Sequence, residues 1–154
     1  MIDNYRPEAY TLPAEIAGKS RAIIYCRVGQ KKDAGKSKSS FQYDCCFGFA
    51  RRAGLEVVAH YEDVGTYGST GLPQLDAAIR EVERGRADVL LVEDFDRLNR
   101  DVRQDLLVKA RVEAAGGVLI IADIYRTGSV AQQISQDIAA MLGTYKQVAL
   151  DGRA

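Results

Sequence analysis

Asp88-Val-Leu-Leu-Val-Glu-Asp-Phe-Asp-Arg-Leu-Asn-Arg-Asp101 decides how the chain folds. Val89 to Glu93 opens as an unbroken run of branched apolar side chains, the pattern of a strand covered on both faces. Its carboxyl end runs at once into crowded acidic and basic groups. A strand of that kind belongs to a parallel sheet with helical crossovers, and the flanking segments read accordingly. Upstream, Pro73 suits the first turn of a helix that runs to about Arg84 and stops at Gly85. Before it come a glycine-rich loop, Asp63 to Gly71, and a strand, Leu55 to Tyr61. Further back, Phe41, Cys45 and Phe49, with Cys46 and Ala50 beside them, recur at helical spacing. That helix runs from an N-cap at Ser39 or Ser40 to Arg52, and Gly54 closes it. A polar loop, Gly29 to Lys38, separates it from a first strand, Ala22 to Val28. Downstream, a helix from about Val102 to Ala115 and a strand from Val118 to Ala122 complete a βαβαβαβ alternation. The expected fold class is α/β, a mainly parallel four-stranded core sheet with flanking helices.

The ends of the chain read differently. Residues 1–20 hold Pro7, Pro13 and Gly18 without a clear period and are expected to form an arm before a domain spanning 21–154. Val130, Ile134, Ile138, Met141, Tyr145 and Val148 step by three or four, which predicts a long helix over about 129–151 with a narrow apolar stripe. Such a stripe packs either on its own sheet or on a second chain; the pattern alone leaves both open.

Composition narrows the function classes. The chain has 154 residues, 47% apolar and 27% charged, the balance of one globular domain. Lys plus Arg and Asp plus Glu number 21 each, so any basic surface is local. No apolar run approaches the roughly 18 to 20 residues of a membrane span. The start lacks the basic and apolar regions of an export signal, so a cytoplasmic location is expected. Cys26, Cys45 and Cys46, with His60 as the single histidine, make no metal-ligand spacing, and neither metal nor cofactor is expected.

In parallel α/β sheets the ligand crevice lies beyond the carboxyl ends of the strands, where this sequence places Arg27, Arg97 and Arg100. Converging guanidinium groups suit a phosphate or another oxyanion. The alternative is a surface ion-pair set with Glu93, Asp94, Asp96 and Asp101. A nucleotide-binding reading of Gly29-Gln-Lys-Lys-Asp-Ala-Gly35-Lys36-Ser37 is disfavoured, because five residues separate its glycines, one more than the phosphate loop uses.

These stretches, read together, carry a resemblance. Arg21-Ala-Ile-Ile-Tyr-Cys-Arg-Val28, a helix carrying Gln42 and ending Ala53-Gly54, Tyr61-Glu-Asp-Val-Gly65, Pro73-Gln-Leu75 and the stretch Asp88–Asp101 occur in order. Over about residues 21–124 they resemble the catalytic domain of the serine recombinases, the resolvase/invertase family. That family cuts DNA by attack of a serine hydroxyl on a phosphodiester, forming a 5′-phosphoserine linkage. The resemblance implies that Arg27, Arg97 and Arg100 clamp the phosphate, that Asp96 is an orienting carboxylate and that Gln42 is a supporting polar group. It also implies DNA as a partner and a homodimer or a heterodimer with another recombinase through residues about 129–151. The position that the family gives to its serine, directly after Arg27-Val28, is Gly29. Leu72 stands where the family has an arginine before the helix-opening proline. A DNA-reading region beyond the long helix, usual in the family, is not expected here. Two readings follow: a cleavage-deficient domain that works by binding, or an active recombinase whose serine was replaced deliberately or whose nucleophile is another group. Ser37, Ser39, Ser40, Cys26 and Tyr25 are the candidates for that group, and Leu72 favours a natural loss. Lys31, Lys32, Lys36 and Lys38 add a basic loop that is either a DNA-backbone contact or solvated surface.

Overall fold

A computed structural model describes residues 12–29, 37–65, 71–94, 97–98, 102–125, 138 and 141–143. Four strands, β1 (Arg21–Val28), β2 (Glu56–Val64), β3 (Val89–Val92) and β4 (Val118–Ile121), form one sheet in the order β2-β1-β3-β4. All pairings are parallel, as the alternation of elements predicts. Helices α1 (Ser37–Ala53), α2 (Pro73–Glu83) and α3 (Val102–Ala114) make the crossovers. One face of β1 presents Ala22, Ile24 and Cys26 to Cys46, Phe49 and Ala50 of α1. The other presents Ile23 and Tyr25 to Leu75, Ile79 and Val82 of α2, in a core that also takes in Val112 of α3. Covering on both sides is why β1 and β3 read as continuous apolar runs.

The strand order reverses between β1 and β3. From β1 the chain steps to β2 on one side, then crosses back over β1 to lay β3 on the other. In sheets of this kind such a reversal is where a crevice opens beyond the strand ends and ligands bind. The fold therefore places the residues after Val28 and Val92 side by side.

Several boundaries differ from the sequence expectation, each for a physical reason. Helix α1 begins at Ser37, so Ser39 and Ser40 lie within it rather than capping it. The Ser39 hydroxyl donates to the Glu62 carboxylate on β2 instead of holding a backbone amide. Strand β2 continues past Tyr61 to Val64 because Glu62, Asp63 and Val64 stay in register with Cys26, Arg27 and Val28. Residues 12–20, expected as a separate arm, contribute a 3-10 turn, Ala14–Ile16, and bury Ile16 in the α1-side core. The segment about 129–151 lies almost wholly outside the described residues; Ile138 and Met141 of its stripe are exposed.

The amino edge of the sheet is closed by Asp88, the residue before β3. Its carboxylate accepts from the Ser20 and Arg21 amides at 3.2 and 3.0 Å and from the Arg21 guanidinium at 3.2 Å. Burial alone would raise this carboxyl, but the bonds from Arg21 and Ser20 outweigh it and hold it down at about 2. A folded-state value below the unfolded value of about 3.9 means stabilisation that is complete above that pH and is lost as the pH falls through the folded value. Acid titration of stability should accordingly show a limb between about pH 4 and about pH 2 that Asp88→Asn flattens, as followed by circular dichroism. At the start of β4, a Cβ on Gly117 would sit 2.5 Å from Val82 Cγ1 and 3.2 Å from both the Asp88 carbonyl and Val112 Cγ1. Val82 is a short, buried side chain that cannot swing away, so Gly117→Ala should destabilise the fold by roughly 1–3 kcal/mol in urea unfolding.

Candidate functional site

The site is built at the carboxyl ends of β1 and β3. The Val28 carbonyl accepts from the Gly65 amide at 3.0 Å, on the β2 side. Peptide groups alternate along a strand, so those of Arg27 face the other way, toward β3. But β3 pairs with β1 only as far as Val92 opposite Tyr25. The gap is filled by the Gln42 side chain from α1. Its Oε1 accepts from the Arg27 amide and its Nε2 donates to the Arg27 carbonyl, both at 2.9 Å. Gln42 is fully buried. One side-chain amide thus does the work of a strand and holds the backbone of Arg27 straight up to Gly29.

The Arg27 guanidinium, also buried, donates from Nε to the Arg97 carbonyl at 3.2 Å, which joins the two banks of the crevice. Arg97, in the turn after β3, keeps its side chain 30% exposed. Its Nε lies 3.5 Å from Glu93 Oε2, an ion pair without hydrogen-bond alignment. Burial pushes the Glu93 carboxyl up; Arg97 opposes that, and the charges of Asp94 and Asp123 reinforce it. The ion-pair alternative read from sequence is therefore real for Arg97 and Glu93, and it coexists with the gathering of arginines rather than replacing it.

Of the residues expected here, the structure brings Arg27, Gln42 and Arg97 together, with Gly29 directly beyond Val28. Asp96 and Arg100 lie outside the described residues, as do Lys31, Lys32 and Lys36 and the side chain of Lys38. Among the alternative nucleophiles, Cys26 is fully buried and its thiol is pushed up by burial to about 12, so it is protonated at neutral pH. Tyr25 is buried too, and its hydroxyl donates to Asp63 Oδ2 at 2.9 Å. Burial, then the Asp63 charge, raise that phenol above its ordinary value. Ser39 is tied to Glu62.

Asp63 is the residue that sequence reasoning missed. Besides Tyr25, it accepts from the Gln74 and Leu75 amides at 3.1 and 3.0 Å, in the first turn of α2. The residue at the helix cap itself, Leu72, makes no side-chain cap and packs on the core instead. Asp63 therefore caps α2 from a neighbouring strand, where a carboxylate also meets the positive end of the helix dipole. The available signal was an acidic residue at a strand's end, shortly before a proline-opened helix that has no polar cap of its own.

This geometry is the setting for the comparisons with known proteins. The family model described as "Resolvase, N terminal domain" matches residues 22–152. The chain belongs to this family. The resolvase domain is similar in structure to the N-terminal catalytic domain of TP901-1 integrase, at 25% identity and a TM-score of 0.65, over 88% of this chain and 100% of that one. A resolvase family site-specific recombinase from Streptococcus pneumoniae, at 19% identity, gives a TM-score of 0.59 over 88% of this chain and 100% of that one. The C-terminal catalytic domain of ISC1926 TnpA, an IS607-like serine recombinase, is 20% identical with a TM-score of 0.59, over 86% of this chain and 94% of that one. No curated protein matched. The domain is thus of the serine-recombinase type, a family of site-specific recombination, and among its described residues no helix is long and apolar enough to cross a membrane.

The Gln42 pairing makes a direct prediction. Gln42→Leu keeps most of the volume but leaves the Arg27 amide and carbonyl buried without partners, so it should cost roughly 2–4 kcal/mol in denaturant unfolding. Gln42→Glu should also lose stability, because a carboxylate cannot donate to the Arg27 carbonyl.

Proposed function

We propose that this resolvase domain binds DNA through phosphate contacts at Arg27 and Arg97, with Arg100 and Asp96 alongside as the family resemblance implies, and does not cut it. The observation that carries this reading is Gly29, the residue that follows Arg27-Val28 out of β1 into the crevice. In the family's reaction a serine oxygen bonds to phosphorus, its proton departs and the 3′-oxygen of the cut strand leaves. Glycine offers no oxygen for the first step. What remains is the electrostatic part of the site, one buried guanidinium and one half-exposed one, which suits binding a phosphodiester whether or not it is cleaved. Phosphate contacts position a protein on DNA without specifying sequence. Residues about 129–151 would join two copies of this chain or this chain and another recombinase, and in the second pairing the partner would supply the serine, in the cytoplasm where such DNA lies.

Supercoiled DNA incubated with the protein and resolved on denaturing gels should show no covalent protein–DNA adduct. Fluorescence anisotropy with a labelled duplex should show binding that weakens about three- to tenfold in Arg97→Ala, with a salt slope lower by about one. An adduct formed by the unaltered protein would overturn the cleavage-deficient reading. Its disappearance in Ser39→Ala would name the substitute nucleophile, since the Ser39 hydroxyl already donates to a carboxylate.

A further inference from the structure

Glu93 is at odds with the site it occupies. A phosphate-binding crevice gains from positive charge, yet a carboxylate with a side chain only 9% exposed stands at the end of β3, four residues before Arg97. Glu93 Oε2 and Arg97 Nε approach to 3.5 Å, and neither atom has a hydrogen-bond partner among the described residues. The pair is held chiefly by charge, at a separation too long for the well-aligned bond that would make it a permanent strut.

We propose that Glu93 is a built-in competitor for the phosphate: its carboxylate holds the Arg97 guanidinium while the crevice is empty and gives it up when a phosphodiester enters. The inference rests on the reading of Arg97 as a phosphate contact and adds a residue that sets the affinity of that contact.

Both backbones are fixed, which dictates how the exchange takes place. The Glu93 carbonyl accepts from the Asp123 amide at 3.0 Å, and the Arg97 carbonyl accepts from Arg27 Nε at 3.2 Å. Neither residue can retreat by moving its main chain, so the exchange is a swing of the Arg97 side chain toward the phosphate. Glu93 is then left buried without its cation. Among the described residues, the charged and titratable groups around it are Asp94 on its own segment, Asp123 beyond β4, the Cys26 thiol of β1 and the Cys46 thiol of α1. The two aspartates repel a second negative charge, and both thiols are pushed up by burial and stay neutral. Once Arg97 has gone, the least costly state of Glu93 is the protonated one. Phosphodiester binding therefore takes up a proton at Glu93, and by linkage affinity rises as the pH falls.

The test uses the whole chain and a dinucleoside monophosphate, whose single phosphodiester keeps its charge across the range studied. Its affinity is followed by NMR at the Arg97 Nε–H. For the unaltered protein it should strengthen roughly three- to tenfold between about pH 8 and about pH 5. Glu93→Gln should bind at about pH 8 as tightly as the unaltered protein does at low pH, with a flat profile. A carbon-detected titration of the Glu93 carboxyl in the unaltered protein needs no variant: saturation with the dinucleotide should move its midpoint upward, and an unmoved midpoint would overturn the proposal. So would a Glu93→Gln protein with unchanged affinity and unchanged pH dependence, while Arg97→Ala weakens binding; the phosphate site would then stand without its competitor. If Arg97→Ala binds as well as the unaltered protein, the phosphate reading fails and the competitor with it.

Discussion

The crevice depends on two hydrogen bonds made by one neutral side chain. Where β3 stops, the main chain of β1 would be left with a buried donor and a buried acceptor, and Gln42 meets both. Few side chains can do this, because the task needs an acceptor and a donor at peptide spacing. A carboxylate would accept but not donate, and it would set a negative charge beside the guanidinium groups. The pairing keeps Arg27 in strand geometry at the point where the chain enters the crevice. The Arg27 side chain then crosses to the Arg97 carbonyl and fixes the turn after β3. Arg27 and Arg97, at the carboxyl ends of the two central strands, thus have their backbones already in place.

Two buried carboxylates near the crevice show how environment assigns roles to one kind of group. Asp63 accepts from a phenol and two amides in the first turn of α2 and is a structural joint between β1, β2 and that helix. Glu93 has an arginine at ion-pair distance, two repelling aspartates and, among the described residues, no aligned donor on Oε2. The first is satisfied and static. The second is loosely held, because among the described residues its one attraction is a long ion pair with Arg97.

Much of this was legible in the sequence. Unbroken apolar runs gave β1 and β3 away as strands covered on both faces, and the βαβ alternation predicted a parallel sheet, though not its strand order. Arg27 and Arg97 declared themselves as arginines at strand ends, and family resemblance drew Gln42 in with them. The two-bond pairing of Gln42 was not legible, because a glutamine on a helix carries no sign that the neighbouring strand is too short. Asp63 was hidden for a similar reason: its partners lie 11 and 12 residues away, outside any local capping pattern. The true ends of β2 and α1 were misjudged because Glu62, Asp63 and Ser39 look like loop residues until their partners across the sheet are known. Glu93 was visible as a charge but not as a buried one.

The Arg27 bond to the Arg97 carbonyl spans 70 positions of chain, whereas Gln42 reaches Arg27 over 15. Local contacts close first and distant ones await the rest of the chain. A polypeptide emerging from the ribosome can therefore set Gln42 against Arg27 once the first crossover is complete, yet it holds half a crevice until β3 has crossed over β1. Domains fold as units during synthesis, and one whose strand-end arginines come from segments this far apart cannot bring them together until the sheet is whole.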